Sequence, residues 1–428
     1  MSTNHFSPTS LEKAKKEVKS KSSFNKKRFF GSGKSFIAEK LSTQILTGTY
    51  DFKTIKRLSM GNKKVKNKDV YHTTTLEDEV VLSSLNSIIK SYYKVKQSDR
   101  NLIVKQVISL LKEDVPKFIY RLDINDFYGN IQFSDCCKKI IEDGLLSVEY
   151  EHVFNSLSNK ITNSNIKGLP RGLSISATIS ELHMRDFDKI IRRTTGVYFY
   201  SRFVDDIVIF SNEALSIKSQ IIKNLPTGLQ LNWSKCTNKK VDTCQEKKCK
   251  CSKNEHLFNF LGYSFNFPQV ICKKTNPLNI SLSKNKVIKL KQRIHLSFAH
   301  FRNKGSYEDL KSRLEFLTSN HFLDKDRSDV YRMKAGVFYN YIQLNNITPY
   351  KELDKYIGTQ IHLVMKSRFQ LSPSNKIELT QYSFAKGFNN RIVNDYQGSH
   401  INKMKGIWND CSGQLILATD LYSSQNFF

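Results

Sequence analysis

Residues 197–210 read Val-Tyr-Phe-Tyr-Ser-Arg-Phe-Val-Asp-Asp-Ile-Val-Ile-Phe and place two adjacent acids, Asp205 and Asp206, between two apolar runs. Both runs are short and rich in aromatic and β-branched residues, a composition typical of strands. The segment therefore predicts a β-hairpin with the acids at its tip. Neighbouring carboxylates repel each other and resist leaving water, so the pair favours a bound cation. Asp pairs also occur in ordinary surface turns, which leaves that alternative open.

A third acid, Asp123, lies in another apolar stretch of strand formers, residues 118–124. If that strand lies beside the hairpin, three carboxylates converge. Phosphoryl transfer requires such convergence, because two divalent ions about 3.5–4 Å apart act on the attacking hydroxyl and the leaving pyrophosphate.

Helical spacing of apolar residues surrounds these strands. It predicts helices within 76–89 and 102–111, a further helix over 175–191 and a mostly helical region from Asn285 onward. The stretch Gly168–Gly172 contains two glycines and a proline, which predicts an irregular loop before the third helix.

The chain of 428 residues has a formal net charge of +29, which favours nucleic acid as a partner, although many basic proteins are merely soluble. It contains no apolar stretch of about 20 residues, the length of a membrane span, and its start lacks the apolar segment of a secretory signal. We therefore expect no membrane association and a cytoplasmic location.

Five stretches resemble, in order, the motifs of reverse transcriptases. They are Leu122–Tyr128 (first palm motif), Gly168–Ser176 (LPQG motif), Phe203–Asp206 (YxDD box), Leu231–Lys235 (lysine motif) and Phe260–Tyr263 (primer grip). The resemblance implies an α+β right-hand polymerase fold, with an antiparallel palm sheet, helical fingers, and a helical thumb and C-terminal region. The implied activity is RNA-directed DNA synthesis.

The same resemblance implies the catalytic roles. Asp123 and Asp205 are expected to hold two Mg²⁺ ions, or Mn²⁺, with Asp206 beside them and the backbone carbonyl of Ile124 completing one shell. Lys235 is expected to protonate the leaving pyrophosphate or neutralise its charge, the alternative being one more solvated lysine.

Substrate-binding residues follow from the motifs as well. Tyr128 occupies the place of the family's steric gate, where a ring against the sugar rejects a 2′-hydroxyl; the alternative is a core aromatic. Gly172 is expected to let the backbone approach the templating base pair, since a side chain would obstruct it. Arg100 and Lys105, upstream of the palm, are candidates for holding the triphosphate.

Arg171 is a further candidate for substrate binding, and it departs from the family pattern, which usually has Gln at this position near the nascent base pair. A planar cation thus replaces a neutral amide near the template or nucleotide. The stretches around it and after Asp126 look more like bacterial defence-associated (unknown-group) and abortive-infection reverse transcriptases than like group II intron or retroviral enzymes. This likeness implies a role in antiphage defence, a non-coding RNA partner, and in some cases priming from protein.

Four cysteines and a histidine lie between the lysine motif and the primer grip: Cys236, Cys244, Cys249, Cys251 and His256. Zinc at Cys244, Cys249 and Cys251 is one interpretation, but their spacing is not that of a usual zinc knuckle. A basic loop that contacts RNA is the simpler one, and the cysteines are otherwise expected to be free thiols.

The predicted organisation is a basic flexible arm (1–40), fingers (41–117), palm (118–275), thumb-like helices (276–345) and a helical C-terminal region (346–428). The arm is interpreted either as a backbone-following segment or as an ordinary disordered tail.

The predicted function is an RNA-directed DNA polymerase that uses an RNA template and deoxynucleoside triphosphates and releases a DNA product. Two alternatives stay open: a retron-type enzyme that copies its own structured RNA, and an RNA-binding scaffold with a vestigial polymerase site. A homo-oligomer or a second protein partner is also left open.

Overall fold

The computed structural model describes residues 5–20, 37–57, 69–244, 254–272, 277–322, 334–365 and 370–394 and confirms the expected α+β class. The helices are α1 (Pro8–Ser20), α2 (Ala38–Leu46), α3 (Leu76–Tyr92), α4 (Arg100–Leu111), α5 (Phe127–Asn130), α6 (Phe133–Glu142), α7 (Val148–Asn163), α8 (Ser174–His183), α9 (Arg185–Arg192), α10 (Lys284–Lys304), α11 (Tyr307–Thr318), α12 (Thr348–Val364), α13 (Pro373–Thr380) and α14 (Phe384–Asn390). The strands are β1 (Ile55–Arg57), β2 (Tyr71–Thr73), β3 (Lys117–Asp123), β4 (Val197–Phe203), β5 (Asp206–Ser211), β6 (Thr237–Thr243), β7 (Glu255–Phe260), β8 (Tyr263–Pro268), β9 (Val270–Ile271), β10 (Asn279–Leu282), β11 (Asn320–Phe322), β12 (Lys334–Gly336) and β13 (Val393–Asn394).

A five-stranded sheet with the order β4-β5-β3-β6-β9 lies at the centre of the molecule. The first four strands are antiparallel neighbours, as expected for a palm, whereas β9 runs parallel to β6 at the edge. The predicted hairpin is β4–β5, and the strand that carries Asp123 is β3, which pairs with β5 on one side and β6 on the other. The three acids are therefore brought to one end of the sheet.

The two faces of β3 are covered by different hydrophobic cores, because successive side chains of a strand point to opposite faces. Tyr120 and Leu122 belong to the first core, which α1 to α3 and α6 to α9 complete. Ile119 joins Val208 and Phe210 in the second core, which includes α4 and α10 to α14. The central sheet thus holds two packed halves of the chain together.

Two observations add to the predicted organisation, whose boundaries stay a prediction. Part of the expected flexible arm is helix α1, whose neighbourhood buries Phe6, Leu11 and Val18 in the first core against α2 and α3. Helix α4, assigned to the fingers by its position in the chain, packs in the second core with the C-terminal helices. Apolar spacing identified α4 as a helix, but not the partner that covers it.

The C-terminal half is helical, as expected, with two small sheets added. Strands β10, β8 and β7 form one sheet, and β12, β11 and β13 form the other. The part of the predicted C-terminal region after Asn394 lies outside the described residues. Among the helices that are described, none has both the length and the apolar character needed to cross a lipid bilayer.

Candidate active site

Three acids lie near the point where β3 ends and β5 begins. Asp123 is the last residue of β3, and Asp206, the first residue of β5, is its partner across the antiparallel pair. Asp205 lies in the turn between β4 and β5, directly after Val204, whose backbone has φ 57°. Left-handed backbone is unusual for a β-branched residue, so the surrounding structure must hold this turn in place. We call Val204–Asp206 the acidic turn.

Backbone hydrogen bonds connect the turn to its neighbours. The Ile124 N–H donates to the Asp205 carbonyl over 3.1 Å, which fixes the end of β3 against the turn. On the other side, the Asn232 N–H donates to the Asp123 carbonyl over 2.8 Å. The second bond brings the segment after Leu231 alongside β3, and with it Lys235.

Two cations bind the carboxylates directly. The Lys235 ammonium donates to both oxygens of Asp123 at 2.9 and 3.1 Å, and the Arg121 guanidinium donates to Asp206 at 2.9 Å. Asp123 is nearly buried, whereas the Lys235 side chain is 52% exposed. Lys235 can therefore move away from Asp123 without leaving a buried cavity behind.

The acids of the site carry more negative charge than these cations offset. Burial, followed by the charges of Asp206 and Asp123, raises the pKa of Asp205 to about 6. Burial also raises the pKa of Asp206, and the nearby Arg121 offsets only part of that effect. A further cation at this place would stabilise the ionised acids.

The donors suit Mg²⁺, a hard cation that prefers carboxylate and carbonyl oxygens. Within the described residues, no three or more His, Cys, Asp or Glu side chains are grouped so that they could hold a metal ion. At the predicted site, Lys235 and Arg121 bind oxygens of Asp123 and Asp206 that an ion would use. The carboxylates are therefore of the right type to bind Mg²⁺. In this structure, Lys235 binds Asp123 and Arg121 binds Asp206.

The acidic turn is held by a buried ion network that the sequence did not predict. Arg202, 2% exposed, donates to Glu181 at 2.7 Å and to Asp188 at 2.9 Å. The same guanidinium donates to the Val204 carbonyl at 3.0 Å, at the residue with left-handed backbone. Arg202 lies in the stretch of residues 197–210, three positions before Asp205. This position was the one sequence feature that could have pointed to a role beside the acids. Arg121 was missed too, although it lies two residues before Asp123 and hence on the same face of β3.

Tyr128 and Arg171 lie together beside the acids. The guanidinium carbon of Arg171 is 5.7 Å from the centre of the Tyr128 ring, and an Arg171 N–H donates to Asp126 at 2.7 Å. The Leu169 N–H donates to the Tyr128 carbonyl at 2.7 Å, which fastens the glycine-containing loop to this segment. Burial raises the pKa of the Tyr128 hydroxyl to about 12.

The close approach that Gly172 permits is to strand β2. Its backbone has φ +99°, and a Cβ at this position would lie 2.5 Å from the Tyr71 carbonyl oxygen. The preceding carbonyl, that of Arg171, accepts a hydrogen bond from the Tyr71 N–H over 2.7 Å. In the described structure, Gly172 thus allows the loop to contact β2. Its role near the templating base pair stays a prediction.

Arg100, a predicted contact of the triphosphate, is buried and bonded within the protein. The guanidinium is buried, donates to the Leu261 carbonyl at 2.6 Å and to the Asn340 carbonyl at 2.7 Å, and lies over the ring of Tyr263. All of these contacts are with the second core, so Arg100 links α4 to the C-terminal half. Lys105, on the same helix, is exposed.

The zinc prediction falls mostly on residues outside the described part of the chain, since Cys249 and Cys251 are not described. Cys244 has a free thiol, and its backbone N–H donates a hydrogen bond to the Ile271 carbonyl at 2.9 Å. Cys236 lies beside Asp123, and His256 contacts the Lys240 carbonyl at 2.7 Å through a ring nitrogen.

Residues 62–265 match the family described as reverse transcriptase (RNA-dependent DNA polymerase). The match spans the three acids, Lys235, Tyr128 and the loop with Arg171. The chain therefore carries a reverse transcriptase domain, the catalytic domain of RNA-directed DNA polymerases, and the expected right-hand polymerase fold is confirmed.

More distant similarities include two telomerase structures and one Plasmodium protein. The telomerase of Candida albicans, solved with a TWJ fragment of telomeric RNA, is 12% identical over 80% of this chain and 52% of that chain, with a TM-score of 0.30. The telomerase of Candida tropicalis with the same type of fragment is 12% identical over 92% of this chain and 68% of that chain, with a TM-score of 0.32. A Plasmodium falciparum (isolate 3D7) protein is 27% identical over 146 residues, which are 32% of this chain and 3% of that protein. The chain thus spans about half of the first telomerase and a small part of the Plasmodium protein. Such low TM-scores do not inform the function of this chain.

Proposed function

We propose that the protein is an RNA-directed DNA polymerase that joins deoxynucleotides to a primer end. The 3′-hydroxyl attacks the α-phosphate of a deoxynucleoside triphosphate and pyrophosphate leaves. The supporting observation is the convergence of Asp123, Asp205 and Asp206 at the end of β3 and β5 inside a reverse transcriptase domain. These acids, with the Ile124 carbonyl, would hold Mg²⁺ or Mn²⁺, which activates the hydroxyl and stabilises charge on the phosphates.

Lys235 is proposed to act on the leaving group. Its ammonium is bound to Asp123, and its side chain is half exposed, so it can turn toward a phosphate when another cation neutralises that acid. A positive charge beside the leaving pyrophosphate lowers the barrier, either by neutralisation or by proton donation. The support for this role is the contact of Lys235 with Asp123, one of the acids proposed to hold the metal.

Tyr128 is proposed to face the sugar of the incoming nucleotide and to exclude ribonucleotides. Its place five residues after Asp123 is that of the steric gate in the resembling family. The Asp126–Arg171 pair beside it and the loop bonded to its carbonyl support a fixed position for the ring. The backbone of Gly172 is proposed to contact the nascent base pair. The backbone carbonyl of Ile124 is proposed to bind the metal.

The first experiment is an incorporation assay on the purified protein with its co-purified nucleic acid. Each labelled deoxynucleotide and ribonucleotide is added with Mg²⁺, and the product is sequenced. We expect DNA from the wild type and none from Asp205→Ala/Asp206→Ala, whereas Asp186→Asn, an exposed acid elsewhere, retains synthesis. Equal incorporation by wild type and the double variant would refute the assignment of the acids.

We further propose that the template is a non-coding RNA, that the enzyme acts in the cytoplasm and that it contributes to antiphage defence. Support comes from the resemblance of the motif stretches around Asp126 and Arg171 to defence-associated enzymes. Cells expressing wild type or the Asp205→Ala/Asp206→Ala variant are challenged with a phage panel, and bound RNA is sequenced. Protection that needs the acids supports the proposal; protection by the variant favours the scaffold alternative, and a bound structured RNA encoded beside the gene favours the retron alternative.

A further inference from the structure

An ion pair next to the proposed sugar gate joins two segments that are distant in the sequence. Asp126, three residues after Asp123, accepts a hydrogen bond from Arg171 at 2.7 Å, and the partners are 45 residues apart. Their side chains are 45% and 26% exposed, so the pair lies at the protein surface. Asp126 has left-handed backbone, φ 37°, and its carboxylate binds the loop through Arg171.

Gly129 makes room for this pair. A Cβ at Gly129 would lie 2.1 Å from one carboxylate oxygen of Asp126, so any larger residue would displace that side chain. Gly168 makes room for the loop in a similar way, because its Cβ would lie 2.3 Å from the Tyr128 carbonyl oxygen. Two glycines therefore allow the loop, the ion pair and Tyr128 to approach one another.

The ring of Tyr128 is packed between these groups and its neighbour. The Arg171 guanidinium lies over the ring at 5.7 Å, and the Phe127 ring meets it edge to face at 5.5 Å. A guanidinium attracts an aromatic face, and here its direction is fixed by the carboxylate on its other side. The charge of Arg171 is matched by Asp126, which favours a positioning role over direct phosphate binding.

We infer that the Asp126–Arg171 pair positions the Tyr128 ring and thereby sets how strictly the enzyme discriminates deoxynucleotides from ribonucleotides. This inference rests on the proposed function and on Tyr128 as the sugar gate. A ring freed from the guanidinium can rotate away from the sugar and admit a 2′-hydroxyl. Loss of the pair then affects ribonucleotide use more than deoxynucleotide use.

The test measures kcat/KM for a deoxynucleotide and the matching ribonucleotide opposite one template base. We expect Arg171→Gln, Asp126→Asn and Gly129→Ala each to lower the deoxy-to-ribo ratio about tenfold, equivalent to about 1.4 kcal/mol. Arg171→Lys, which keeps the charge, is expected to restore part of the ratio. The double variant Asp126→Asn/Arg171→Gln should lose no more than either single variant, because both changes break one contact.

The control is Lys160→Gln, which breaks another partly exposed ion pair, with Asp51 at 3.4 Å, and should leave the ratio unchanged. An unchanged ratio in all three single variants, with deoxynucleotide incorporation intact, would overturn the inference and leave the proposed function standing. The same holds if both substrates are lost in equal proportion. Absence of incorporation by the wild type with either sugar would instead overturn the proposed function and the inference with it.

Discussion

Replacement of Arg202 tests how the acidic turn is held. Its guanidinium, 2% exposed, binds Glu181 and Asp188, whose side chains are 17% and 13% exposed, and also the Val204 carbonyl. Arg202→Met keeps an unbranched side chain of similar length but leaves two acids without their shared cation. Breaking a buried ion pair costs about 3–5 kcal/mol, because the remaining charge stays desolvated. We expect a loss of that size in the free energy of unfolding.

The assay is guanidinium denaturation followed by circular dichroism, alongside DNA synthesis by the same preparations. Arg202→Lys should lose less stability than Arg202→Met, since it keeps the charge but not the forked geometry. The control Lys139→Met removes an exposed pair with Asp186, 3.4 Å apart, and should cost no more than about 1 kcal/mol. If Arg202→Met costs no more than this control and retains synthesis, the network does not support the turn.

Three further predictions concern other parts of the site. Since burial raises the pKa of Asp205 to about 6, the folded state binds protons more tightly than the unfolded chain. The free energy of unfolding of the metal-free protein should therefore fall by at most about 3 kcal/mol as the pH rises from about 4 to 6. Thermal melts measure this change, and the Asp205→Asn variant should lack the contribution of this group. Arg100→Met should cost about 2–4 kcal/mol in denaturation without raising the KM for nucleotide in the folded enzyme, because it removes bonds to backbone carbonyls; a raised KM would support the predicted contact with the triphosphate. Lys105→Ala, at an exposed residue, should leave the stability unchanged. Gly172→Ala should destabilise the protein by more than about 1 kcal/mol, because the added Cβ would lie 2.5 Å from a backbone oxygen of β2. Gly358→Ala, in open space on α12, should stabilise it by up to about 1 kcal/mol. Equal shifts in melting temperature for the two variants would contradict this prediction.

The hairpin and its acids could be predicted because their signals are local. Two short strand-forming runs joined at a polar pair specify a hairpin, and β4 and β5 are found at those positions. The helices α3 and α4 were predicted equally well from apolar spacing. Local periodicity shows which face of an element is apolar, but it does not identify the element that covers it.

The contacts that define the site come from residues far apart in the chain. Lys235 binds Asp123 across 112 positions, and Arg121 binds Asp206 across 85. Arg100 illustrates the same limit, since its carbonyl partners are 161 and 240 positions away. The sequence alone does not distinguish a buried arginine that donates to carbonyls from a surface arginine that binds phosphate.

The sequence by itself determined the α+β class, the order of the motifs and the three acids, because strand and helix patterns and motif spacing are written in neighbouring residues. The tertiary structure decided that helix α1 packs into the first core and that α4 belongs with the second. It also decided which cations face the acids and what holds the acidic turn. These outcomes depend on the pairing of β3 with β5 and β6, and on the two cores that the sheet separates, which only the folded chain brings together.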